Sequence, residues 1–130
     1  MRGRRRAGAR RAAGAAASGQ VLVGRSRMHP FGVGSVVERL RAAGGGYEVV
    51  HESAGLELGV YVLVAPEPDR QQPHDDDEVY VVLEGSGVLD VEGESVPMNV
   101  GDACFVPAGA DHRFSAYEQL AVLVLFERKR

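Results

Sequence analysis

Acidic residues are missing from the first 27 of the 130 positions, a stretch that carries eight Arg amid mostly Ala and Gly. The rest of the chain holds all eighteen Asp and Glu against seven Lys and Arg, so the overall charge of −3 conceals two opposite pieces. A basic, low-complexity arm cannot bury enough apolar surface to order itself. It could bind nucleic acid or anionic lipid through its arginines, or act as a targeting signal, since Arg10-Arg11 precede a mildly apolar stretch. However, residues 12 to 23 are interrupted by Gly14, Ser18, Gly19 and Gln20. That favours a third reading, in which residues 1–27 are a disordered extension and 28–130 form a single domain opened by Met28.

Cysteine occurs once. Cys104 therefore has no intramolecular disulfide partner, which is compatible with a reducing, cytoplasmic location. Its apolar, β-like surroundings suit a buried, inert thiol. No run of about 20 apolar residues exists, so no membrane span is expected. Internal repeats are absent too. Ahead of residue 47 there is room for one short helix but not for a helix-turn-helix, so no nucleic-acid partner is expected.

What the chain does have is β-pattern. A helix is expected at 35–43, with Ser35 as N-cap and Glu38 three residues on. Val36, Val37 and Leu40 share its face, and Gly44-Gly45-Gly46 stops it. Strands are expected at 47–52, 56–65, 78–83, 88–91, 95–98, 103–106, 113–116 and 120–127, separated by Gly- and Pro-rich turns. Many short strands so spaced read as an all-β barrel or sandwich. Strand 56–65 is apolar on both faces, one for the barrel and the other for a second layer or a dimer partner.

Two stretches carry metal-competent side chains beside such runs. The first is Gln71-Gln72-Pro73-His74-Asp75-Asp76-Asp77-Glu78, and the second runs from Gly101 to His112. At about 3.3 Å per strand residue, His74 and Glu78 would stand some 13 Å apart on one strand. The three aspartates relieve this by making a turn, so Gln72 to His74 end one strand and Glu78 begins the next. Gln72 and His74 then share a face, and His112 arrives from a distant strand.

The spacing Gly59…Gln72-x-His74-xxx-Glu78-xxxxxx-Gly85 resembles the first motif of the cupin superfamily. Gly101-xxxxx-Pro107-x-Gly109-xx-His112 resembles the second. The family pattern would place His at 72 and Asn at 116, where this chain has Gln72 and Ala116. The resemblance implies an antiparallel β-barrel of the jelly-roll, RmlC-like type with one short N-terminal helix. It also implies metal ligands at 74, 78 and 112, with Gln72 as a fourth ligand or an outer partner, and a homodimer.

Two imidazoles and a carboxylate suit Fe(II), Mn, Ni or Zn, and match the ligand logic of non-haem Fe(II) oxygenases. By strand parity Tyr80 and Val82 share the face of Glu78, and Phe114 that of His112. Tyr80 is thus a candidate catalytic residue, with Val82, Phe114 and Tyr61 as pocket walls. Asp75 to Asp77 read as a solvated acidic turn. The expected function is a small-molecule metalloenzyme of dioxygenase or oxidoreductase type. The alternatives are a non-catalytic ligand- or metal-binding module and a cupin isomerase or lyase.

Overall fold

A computed structural model describes residues 28–128, as one helix and seven antiparallel strands. The Arg-rich stretch expected to be a disordered extension lies outside the described residues. Helix α1 is Val33–Ala42, followed by β1 (Gly46–Ser53), β2 (Leu56–Val64), β3 (Glu78–Val91), β4 (Glu94–Asn99), β5 (Ala103–Val106), β6 (His112–Ser115) and β7 (Gln119–Glu127). The strand order is β1-β2-β7-β3-β4, with β5 and β6 also pairing with β3.

Strand β3 is the organising element. Its first half pairs with β5 and β7, and its second half, from Ser86, pairs with β4 and β6. The sequence suggested two strands split by a turn at 84–87; the structure instead runs one strand through a bulge between Val82 and Glu84. Gly85 makes this possible. It adopts φ +81, and a Cβ there would run into the Gln119 backbone carbonyl. Glycine inside a strand marks a bend of this kind.

Helix α1 begins earlier than its capping pattern implies. Its N-cap is Gly32, which makes no side-chain cap hydrogen bond. The Ser35 hydroxyl instead donates to the Gly32 carbonyl at 3.3 Å. Ten residues are too few for a stable isolated helix, so packing holds it. Val36 and Val37 bury against Val60 and Val62 of β2 and Ala121 of β7. Each such valine contributes about 1.5 kcal/mol or more. The second layer needed by doubly apolar β2 is therefore α1 of the same chain, so the outer face of β2 does not by itself call for a second copy. The other face lines the main core with Leu63, Tyr80, Leu89, Met98, Phe114 and Val122.

Candidate metal centre

Glu78 opens β3, and His112 opens β6 opposite Val91, the last residue of β3. Along a straight strand those ends would lie about 43 Å apart. The bend at Gly85 brings them together, so that His112 Nε2 is 3.0 Å from Glu78 Oε2, with both side chains 1% exposed. His74 reaches the same carboxylate oxygen at 3.9 Å from the loop after β2. That loop is stitched to the second motif: Gly109 N donates to the His74 carbonyl at 2.7 Å, and Ala108 N to Asp77 Oδ1 at 2.8 Å. Asp77 is thus a tether as well as part of an acidic turn. The His74 ring packs edge-on against Phe126 with centroids 5.0 Å apart.

The amide at this site is Gln71. Gln72 is exposed, and residues 71–77 form no strand, so the parity that would pair Gln72 with His74 does not operate. Pro73 lacks an N–H for a ladder. Gln71 Oε1 instead lies 3.2 Å from His112 Nε2, 3.5 Å from His74 Nε2 and 2.8 Å from the Tyr80 hydroxyl that donates to it. Asp69, 3% exposed, holds this amide. Its carboxylate accepts hydrogen bonds from Tyr61 Oη (2.6 Å), Gln71 Nε2 (2.6 Å), Gln71 N (3.1 Å) and Phe114 N (2.8 Å). Neither Gln71 nor Asp69 carries a signature that single-sequence spacing could have isolated.

His74, Glu78 and His112 each present a ligand atom, all within 4.8 Å of one another, and could hold a metal ion. Around an ion with bonds of about 2.1 Å, neighbouring donors lie roughly 3.0 Å apart at right angles and about 3.4 Å in a tetrahedron. The 3.0 and 3.9 Å separations bracket the latter value. The donor chemistry also fits. His112 Nδ1 lies 2.8 Å from the Ala110 carbonyl, an acceptor, so Nδ1 carries a proton and Nε2 is the nitrogen that faces the Glu78 and Gln71 oxygens. Glu78 Oε1 is buried with no hydrogen-bond partner. Acceptors converging in this way require positive charge, from an imidazolium proton or a cation. Burial opposes charge on His112, but the Glu78 carboxylate and the Ala110 carbonyl outweigh it and raise its pKa above the ordinary value.

A cavity of about 450 Å³ opens onto His74 and Glu78, lined also by Tyr61, Gln71, Tyr80 and Phe126 among others. The catalytic candidate Tyr80 and the expected pocket residue Tyr61 line it, whereas the other two expected pocket residues, Val82 and Phe114, pack in the core. Tyr80 is fully buried and commits its hydroxyl to Gln71. Burial, then the Glu78 charge, drives its pKa upward, so it stays protonated and donates. Tyr47 and Glu57 also form the lining, joined by a 2.8 Å hydrogen bond; the sequence pattern did not single out either residue.

Residues 60–126 match the family described as Cupin domain. This chain belongs to the cupin domain family. An uncharacterized protein of Streptomyces coelicolor is 38% identical over 92 residues, covering 69% of this chain and 88% of the relative. Acireductone dioxygenase of Leishmania major is 33% identical over 85 residues, 61% of this cupin but 25% of the relative. An oxalate-binding protein of Thermotoga maritima is 38% identical over 53 residues, 37% of this chain and 44% of the relative. The chain thus spans less than half of the two relatives whose names state a function. Among solved structures, an RmlC-like cupin from Shewanella frigidimarina aligns with a TM-score of 0.60 at 21% identity, covering 67% of this chain and 78% of that one. The jelly-roll fold expected from the two motifs is thereby confirmed.

Proposed function

We propose that this cupin holds a first-row divalent ion through His74, Glu78 and His112 and acts on a small molecule as an oxidoreductase of dioxygenase type. The observation that carries the reading is the buried, unpartnered Glu78 oxygen among converging lone pairs. Such an ion supplies a Lewis-acidic centre with open positions. The chain's own groups do the rest. The Ala110 carbonyl orients His112, Phe126 and Val124 give the cavity an apolar wall, and Tyr80 holds Gln71 in place. The lining includes Glu57, Asp75, Asp76 and Glu78 but no Lys or Arg among the described residues. A neutral hydroxylated or carbonyl compound suits it better than a dicarboxylate. The similarity to acireductone dioxygenase supports oxygen chemistry.

The similarity to an oxalate-binding protein favours a second reading, a non-catalytic binding module. Metal analysis of the purified protein, followed by oxygen uptake with phenols, thiols and small diketones, separates the two. The proposal expects about one ion per chain and uptake with one of these classes. Bound metal without uptake turns the account to the binding module, and protein that takes up no ion overturns the metal centre.

A further inference from the structure

Resting on that metal-centre reading, we infer that Gln71 Oε1 is a fourth donor to the ion, and that Asp69 is the positioning residue that aims it. The position is off the family's motif register, where Gln72 would have served, and it is reached by loop geometry instead. Gln71 Oε1 lies 3.2 Å from His112 Nε2 and 3.5 Å from His74 Nε2. These are the separations expected of donors sharing one ion with bonds of about 2.1 Å. No other side-chain amide oxygen is recorded against these histidines among the described residues.

An amide can present either its oxygen or its NH2, and only the oxygen can ligate. Asp69 decides which. Its carboxylate offers acceptors alone, and Gln71 Nε2 donates to it at 2.6 Å, so Oε1 must face the histidines. The Tyr80 hydroxyl enforces the same choice from the opposite side by donating to Oε1 at 2.8 Å. Asp69 is itself immobilised by Tyr61 Oη and Phe114 N. Phe114 is two residues from His112 on β6, so a single carboxylate registers the loop donor against the strand donor. Outer partners of this kind set the orientation of metal ligands.

The test uses the full chain and Co(II), read by titration and by its visible d–d absorption. Gln71→Ala should weaken Co(II) binding about tenfold or more and shift the absorption band, while Gln72→Ala leaves both unchanged. Asp69→Asn should reproduce the Gln71→Ala loss, since outer partners are worth about 10- to 100-fold in affinity, and should add nothing in the Gln71→Ala background. A Gln71→Ala protein with the parent's affinity and spectrum overturns the fourth donor while leaving the three-residue centre standing. A parent that binds no Co(II) overturns both. Equal losses from Asp69→Asn with and without Gln71 overturn the positioning role. Should Asp69→Asn not fold, the Gln71 side-chain amide protons of the parent, identified by their absence in Gln71→Ala, decide it. They should be protected from solvent exchange, and rapid exchange overturns the lock.

Discussion

Replacing His112 with alanine should destabilise the metal-free protein by more than the loss of one ring. The imidazole and the Glu78 carboxylate are both 1% exposed and meet at 3.0 Å. Glu78 Oε1 already lacks a partner, and deleting the ring leaves Oε2 facing His74 at 3.9 Å. Removing one member of a buried pair costs about 3–5 kcal/mol, and the Ala110 carbonyl loses its donor for roughly 1 kcal/mol more. A typical domain has about 5–15 kcal/mol in total. The melting temperature should therefore fall by at least about 16 °C, taking roughly 4 °C per kcal/mol for a domain near 100 residues. The pair His112→Ala with Glu78→Leu removes the stranded charge and should recover about 2 kcal/mol of the single-variant loss. Guanidinium unfolding of chelator-treated protein measures this, followed by far-ultraviolet circular dichroism because the chain has no Trp. A single-variant cost below about 1 kcal/mol, a small fraction of domain stability, would refute the reasoning. So would a double variant whose costs simply add.

Three further outcomes are expected. In the metal-free protein His112 has a raised pKa, so its stabilisation is full below the unfolded value of about 6.5 and is lost as pH rises through the folded value; chemical unfolding from pH 5 to 9 checks this, and His112→Gln should flatten the curve. Gly85→Ala should cost well over about 1 kcal/mol, because φ +81 and the Gln119 carbonyl both exclude a side chain; thermal melting of the purified variant measures it. A chain starting at Met28 is expected to melt within about 1 kcal/mol of the full protein, a modest part of typical domain stability, and a larger loss shows that the basic stretch packs.

The two motifs were legible because their signals are local. Ala103–Val106 emerges as predicted, since apolar residues between Gly101-Asp102 and Pro107 leave few alternatives. His74, Glu78 and His112 were singled out by the resemblance to the two cupin motifs, and their side chains converge. The failures have a different physical origin. Gly85 reads locally as a turn, yet pairing with four neighbouring strands overrides it and keeps β3 continuous. Ser35 matches a capping box, but packing of Val33 and Val36 on the sheet extends the helix one turn further. Gln72 was expected at the site from the motif register and from strand parity, but the segment is not a strand. Asp69 is a lone carboxylate after Pro68, and its role comes from contacts up to 45 residues away. No periodicity encodes such contacts.

In the proposed centre, His74, Glu78 and His112 surround one ion. Crystals of the purified protein, measured on both sides of the absorption edge of whichever metal it contains, test this directly. One anomalous peak per chain is expected, bounded by the Nε2 atoms of His74 and His112 and by the Glu78 carboxylate. A peak at the acidic turn of Asp75 to Asp77 instead, or no peak in a crystal of protein saturated with the metal, would contradict it.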